Sequence, residues 1–246
     1  MRIGILQTGA VRGELQREFG DYPAMFRALL ANAAGEEPIE FRDYDVQRGE
    51  YPATLEECDA YLITGSRESV YDDLPWLPRL EEFVRLLDAD RHPLVGICFG
   101  HQLIAQALGG ETRKAEQGWG VGVQRSEVLA PDPWMRPFKP EINLLASHQD
   151  QVVRLPPRAK LFARSDFCPH AGFTIDGHVI TFQGHPEFAK GYSRALLEAR
   201  RSALGEAVYG RGVGSLDEQV DAPLVARWIL NFVAGASSLR AAQDHR

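Results

Sequence analysis

The sequence predicts an α/β fold, with a mostly parallel central sheet flanked by helices and an added antiparallel region. Three observations carry this. Through the first half, apolar runs too short for helices alternate with amphipathic stretches of helical period. Glycine or proline stands where many of these segments change over. In the second half the pattern shifts to short, turn-separated strands with no helical stretch between them.

The elements follow in order. Arg2–Gln7, rich in Ile and Leu, reads as a buried strand. A polar, glycine-bearing loop comes next. A helix then covers about Tyr22–Ala34, with Met25, Phe26, Leu29 and Leu30 on one face and Gly35 as its stop. Phe41–Asp45 is a weaker strand, and Ala60–Thr64 a stronger one ending at Gly65-Ser66. Leu77, Leu80, Phe83, Val84 and Leu87 recur at helical spacing, which puts a helix over Pro75–Ala89 with proline near its start. Pro93–Cys98 is another buried strand, followed directly by a helix over His101–Leu108 that stops at Gly109-Gly110.

The antiparallel region comprises Val121–Leu129, Asn143–Ser147, Gln151–Leu155, Leu161–Ala163, Gly172–Ile175 and Val179–Gln183, with a hairpin turn at His178. Helices over Tyr192–Leu204 and Pro223–Val233 close the chain, separated by the glycine-rich Gly205–Gly214. A frayed tail is expected over 236–246. No repeat or linker cuts the sequence, so one domain over 1–246 is expected, with its motif core at about 60–188.

Composition narrows the function classes. The 246 residues are 44% hydrophobic and 25% charged, enough for one sizeable core in a globular protein. A formal net charge of −7 argues against a broad grip on nucleic acid or on an anionic membrane. No window approaches the roughly 18 apolar residues of a membrane helix, and the N-terminus lacks a secretory cleavage pattern. Cys58, Cys98 and Cys168 are an odd number and not spaced as pairs, which disfavours a disulfide scaffold and points to a reducing cytoplasm.

The chemistry concentrates at Gly96-Ile97-Cys98-Phe99-Gly100-His101-Gln102. A buried strand meets a helix in one sharp turn, with cysteine at the apex and glycine two residues to either side. That is the pattern of a nucleophile elbow, usually built on serine. Side chains at the flanking positions would clash with the neighbouring strand and helix. The apex also lies at a helix N-terminus, whose dipole favours an anion. Taken alone, Gly-Ile-Cys fits a small buried hydrophobe equally well. A partner tips the balance: Thr181-Phe182-Gln183-Gly184-His185-Pro186-Glu187 delivers a histidine at a strand end and a carboxylate two residues on. In extended backbone, residues two apart point to one side, so Glu187 is expected to orient His185, and His185 to take the proton of Cys98.

Gly-Ile-Cys-Phe-Gly-His-Gln, Ser147-His148-Gln149-Asp150-Gln151-Val152 and Gln183-Gly-His-Pro-Glu-Phe188 together resemble the class I (triad-type) glutamine amidotransferases. Within that family the sequence is most similar to the free-standing group like GMP synthase, which includes the γ-glutamyl peptidases. The resemblance implies a flavodoxin-like sheet and a Cys98–His185–Glu187 triad. It implies attack by Cys98 on the amide of glutamine or a γ-glutamyl compound, a glutamyl thioester, and release of glutamate. It also assigns Gln102, Gly65 and Ser147-His148-Gln149 to the substrate pocket, the last three mainly through backbone. The N–H groups of Phe99 and Ser66 become the oxyanion donors. Ser66-Arg67 departs from the family pattern, which has glycine and proline there. Asp150 is expected to anchor its turn.

No cofactor and no metal is implied. Cys168 and His170 have ligand types, but no second pair at usable spacing accompanies them. Tyr71-Asp72-Asp73 reads as a solvated turn, with a substrate-selecting lid as the alternative. Arg113, Lys114, Arg125 and the Arg194–Arg201 cluster read as solvated faces, while Trp119 and Trp134 fit either core or pocket rim. No phosphate-binding loop and no fused synthase appears. Three readings remain: a free-standing hydrolase of a small-molecule glutamyl amide, a glutaminase subunit serving a separate synthase chain, and a non-catalytic relative that binds a glutamyl ligand or a protein.

Overall fold

The computed structural model describes residues 1–244. Eleven strands and seven helices are described: β1 (Arg2–Gln7), α1 (Gly13–Phe19), α2 (Tyr22–Ala34), β2 (Glu40–Asp45), β3 (Ala60–Ile63), α3 (Leu77–Ala89), β4 (Leu94–Ile97), α4 (Phe99–Ala107), β5 (Glu111–Lys114), β6 (Gly120–Val128), β7 (Glu141–His148), β8 (Asp150–Arg154), β9 (Ala159–Arg164), β10 (Gly172–Ile175), β11 (Val179–Phe182), α5 (Lys190–Leu204), α6 (Glu206–Ser215) and α7 (Ala222–Asp244).

Nine strands form one sheet in the order β2-β1-β3-β4-β11-β10-β9-β6-β7. The first five run parallel. Their order, with β11 as the fifth, is the 2-1-3-4-5 of a flavodoxin-like sheet. The antiparallel strands β10, β9, β6 and β7 continue the same sheet, while β5 and β8 pair separately. β11 therefore corrects its assignment to the antiparallel region: it is a central parallel strand beside β4, entered through the hairpin at His178. Its burial on both faces is why alternation could not mark it.

Side-chain alternation divides the core. Ile3, Ile5, Leu62, Val95 and Ile180 face Phe26 and Leu30 of α2 and Trp228, Ile229 and Phe232 of α7. Leu6, Tyr61, Ile63 and Leu94 face Leu80 and Val84 of α3 and Leu103 and Ile104 of α4. A third cluster joins Val121, Val123 and Leu145 of β6 and β7 to Leu196 and Leu197 of α5. These layers hold the carboxyl ends of β3, β4 and β11 side by side, where open α/β sheets place their sites.

Other expectations need correction. The loop after β1 contains α1, which buries no residue and so leaves no apolar stripe in the sequence. The glycine-rich stretch expected to separate the closing helices is itself α6, and Gly212 there sits against Leu197 and Val121. α7 runs to Asp244, through most of the expected frayed tail, with Arg240 paired to Asp90; residues 245 and 246 lie outside the described residues. Arg113 and Lys114 are exposed, as expected of a solvated face, but they lie on β5, a strand the sequence does not reveal. Of the two readings that fit Trp134, core is the one the structure favours: the ring is buried, edge-on to Phe162 and Trp228.

Candidate active site

Cys98 caps α4 with φ 52°, in the left-handed region that a β-carbon disfavours. The flanking glycines are sterically required. A Cβ on Gly100 would lie 2.5 Å from the Ile63 carbonyl oxygen, and one on Gly96 would lie 2.7 Å from that of Gly100. The elbow is thus wedged between β3 and its own helix, with the thiol buried at 5% exposure.

β11 ends at Phe182, whose carbonyl accepts the Cys98 N–H at 2.9 Å. His185 follows, fixed by its own N–H to the Leu145 carbonyl at 2.7 Å. Its ring stacks on Phe188 at 3.8 Å, and its Nδ1 meets Glu187 Oε1 at 2.7 Å. The His185–Glu187 pairing is made across a turn that starts at Pro186, where the sequence pattern suggests extended backbone. Both side chains are buried, and Glu187 Oε2 has no partner among the described residues. Burial is the strongest single influence on His185 and disfavours its cation. The Glu187 carboxylate and the Cys98 sulfur together outweigh it and raise the imidazole to about 10. At neutral pH the ring is therefore an imidazolium facing sulfur on one side and carboxylate on the other.

Gly65 closes the third side. A Cβ there would lie 2.8 Å from His185 Cε1 and 3.8 Å from the Cys98 Cβ, so the three residues meet at one point. Gly65→Ala should displace the imidazole and lower turnover by roughly 10- to 100-fold, since a displacement of about 1 Å can cost that much. Thermal melting should change little beside it; a kcat equal to wild type would mean the ring tolerates the methyl.

The loop after β3 is tied to the end of β1 by Thr8, whose hydroxyl donates to the carbonyls of Thr64 and Gly65, each at 3.1 Å. Ser66 is absent from the non-glycine residues with positive φ, which are Arg91, Cys98 and Asp176 among those described. Serine therefore replaces glycine there without backbone strain. Phe99 is the first residue of α4, so its N–H has no partner within the helix.

The remaining predicted residues converge on a cavity of about 240 Å³ that Cys98 shares with Ser66, Gln102, Ser147, His148 and Gln149. Gln102 Nε2 is already engaged, donating to the Asp150 carbonyl at 2.7 Å and to Gln183 Oε1 at 3.1 Å. Gln183 in turn donates to Cys98 Sγ at 3.6 Å, a role that its place in the motif does not signal. His148 is buried and pushed down to about 4 by desolvation, with Nδ1 on the Asp150 carbonyl. His101 of the elbow is pushed down to about 3 in the same way and contacts Thr181, turned away from the cavity.

Asp150 binds the loop after β3. Tyr71 donates to its Oδ1 at 2.7 Å and Ser69 to its Oδ2, so Tyr71 departs from a free turn by anchoring across the cavity, while Asp72 and Asp73 are exposed, as expected of a solvated turn. Arg200 also departs from the solvated face assigned to it: it lines the cavity and donates to Ser147. Trp119 is pocket rim, under Arg200. Only its position in the fold could have revealed Arg200. Cys168 is buried, its thiol pushed up to about 12 by desolvation, and His170 is spent on the Val152 carbonyl. A larger groove of about 920 Å³, lined by Trp134, Asp176 and Arg227, lies at the opposite end of β11, remote from Cys98. No described helix is long and apolar enough to cross a membrane.

Residues 22–200 match the family model for glutamine amidotransferase class-I. The sequence is 30% identical over 189 residues to gamma-glutamyl peptidase 4 of Arabidopsis thaliana, covering 74% of this chain and 72% of that protein. It is 35% identical over 134 residues to the glutamine-hydrolysing GMP synthase subunit of Sulfolobus acidocaldarius, covering 54% of this chain and 69% of that one. A crystal structure of a glutamine amidotransferase from Thermotoga maritima superposes with a TM-score of 0.72 at 21% identity, covering 95% of this chain and 96% of the other.

Proposed function

Because this chain belongs to the class-I glutamine amidotransferase family, we propose that it hydrolyses the γ-glutamyl amide bond of glutamine or of a γ-glutamyl compound. The observation that carries this reading is the buried His185–Glu187 pair, 2.7 Å apart and set against a strained Cys98 at a helix start. In the proposed reaction the Cys98 sulfur adds to the amide carbonyl. The Ser66 and Phe99 N–H groups receive the resulting oxyanion. The C–N bond breaks as His185 passes its proton to the departing nitrogen, leaving a glutamyl thioester and ammonia or an amine. His185, now neutral, takes a proton from water as that water attacks the thioester; glutamate leaves and the sulfur regains its starting state. Each donor of an oxyanion hole contributes about 2.7–4 kcal/mol. No step needs a cofactor.

A second reading is favoured by the similarity to the Sulfolobus GMP synthase chain. On that reading the same half-reaction supplies ammonia to a separate synthase chain. One experiment tests the chemistry and separates the two. The purified chain is given glutamine and a panel of γ-glutamyl peptides and amines, glutamate release is followed, and samples are acid-quenched during turnover for mass spectrometry. A glutamyl adduct on the Cys98 peptide, with steady release, supports the free-standing hydrolase. An adduct from glutamine with slow release supports the role of ammonia supplier to a synthase. Glutamate release without any adduct on Cys98, or with the adduct elsewhere, would sink the thioester mechanism.

A further inference from the structure

We infer that Arg200 anchors the α-carboxylate of the glutamyl substrate, which restricts the enzyme to amides whose glutamyl α-carboxylate is free. This deepens the function proposed above and rests on it.

Arg200 projects from α5 into the cavity that holds Cys98. Its Nη1 donates to Ser147 Oγ at 2.6 Å and to the Ser147 carbonyl at 3.3 Å, and its guanidinium lies 5.3 Å over the Trp119 ring. Among the described residues no carboxylate lies within ion-pairing distance of it, although its charge is partly withdrawn from water. Burial pulls the guanidinium below its ordinary range, and the groups that oppose it, Tyr22, Tyr192 and Cys98, include no carboxylate. Such a group is costly unless something pairs with it, and the space it faces is the substrate cavity. Nη1 alone is committed to the protein, so other N–H groups of the planar fork are free for a carboxylate, the partner that geometry suits best.

The other cations at the cavity are less suited. Arg67 is exposed and paired with Glu68, and Lys114 is exposed at the rim. Asp150 is the acidic wall, its two oxygens occupied by Ser69 and Tyr71, and it gives a carboxylate no reason to lie on that side. A glutamyl group with its amide carbon at Cys98 and its α-carboxylate on Arg200 therefore spans the cavity from the elbow to α5. Ser147, assigned from sequence to hold substrate through its backbone, also holds the arginine that would hold the substrate.

Two measurements test this. The first compares kcat/KM for a γ-glutamyl anilide with that for its α-carboxamide counterpart, in wild type, Arg200→Lys and Arg200→Met. Wild type should prefer the carboxylate by roughly 10- to 100-fold, as expected for a charge-assisted hydrogen-bonded contact. Arg200→Met should bring the ratio near one, mostly through KM, and Arg200→Lys should keep part of it. An unchanged ratio in Arg200→Met overturns the assignment. The second needs neither turnover nor a variant: iodoacetamide alkylation of wild-type Cys98 is timed with L-glutamate or with 4-aminobutyrate, which lacks the α-carboxylate. Glutamate should protect and 4-aminobutyrate should not. Equal protection, or none by glutamate, rejects the anchor. A chain that hydrolyses nothing yet shows selective protection would refute the proposed activity while leaving the anchor standing.

Discussion

Cys98→Ala should abolish glutamate release, by about 10⁴-fold or more, while the chain stays folded. The size follows from what is removed. Oxyanion donors and substrate contacts can supply about 10³–10⁴ over water without a nucleophile, but the rest of the acceleration runs through the covalent step. The fold should survive because the thiol makes few structural contacts: Gln183 reaches it at 3.6 Å, and alanine keeps the β-carbon that packs beside Gly65. A glycine at the same position makes a sharper test. At φ 52° any β-carbon is strained by roughly 1–2 kcal/mol, and glycine is not. Cys98→Gly should therefore melt higher than Cys98→Ala, by about 2–4 °C for each kcal/mol relieved in a chain of this size. Both variants should be inactive. An inactive glycine variant that melts above wild type would mark the elbow as a place where stability is surrendered to present a nucleophile. Glycine melting below alanine would mean the turn is held by contacts of the β-carbon and stores no strain there.

The elbow was legible in the sequence because its constraints are local. Gly96, Cys98 and Gly100 answer to clashes within one turn and with one adjacent strand. β3 and β4 were legible for a similar reason, since strands buried on both faces are written as unbroken apolar runs. β11, equally apolar, is parallel only through its pairing with β4, which no local pattern records. What stayed hidden depends on residues far apart in the chain. Arg200 sits in a helix rich in arginine, and counting charges there gives a solvated face. It becomes a pocket residue only because β7 brings Ser147 under it. The glycines of α6 read as a loop on propensity alone. They are helical because Gly212 lets that helix approach Val121 of β6 and Leu197 of α5 more closely than any larger residue could. Asp150 was expected to serve its own turn, and its side chain reaches across to Ser69 and Tyr71 of the loop after β3.

Glu187→Gln should slow hydrolysis by about 10²- to 10⁴-fold and change its pH dependence, and the second effect identifies the cause. Glutamine keeps the shape of the side chain but removes the charge that orients His185 and stabilises its cation. In the wild type, burial alone would hold the imidazole neutral, and the largest single influence opposing burial is the charge of Glu187, with Cys98 beside it. With the ring raised to about 10, the proton needed by the departing nitrogen is present throughout the neutral range. The alkaline limb of kcat/KM should accordingly fall only near pH 10 in the wild type and shift to lower pH in Glu187→Gln. The sign for stability runs the same way. A histidine whose folded value exceeds its unfolded value of about 6.5 adds stability below that pH and loses it as pH rises through about 10. Wild type should thus lose stability relative to Glu187→Gln as the solution is taken from pH 6 toward pH 10, with the gap in melting temperature narrowing. A purely structural Glu187 predicts otherwise: a lower melting temperature at every pH, with the alkaline limb unmoved. Rates, limb and melting gap together therefore separate a carboxylate that tunes the imidazole from one that only fills space beside it.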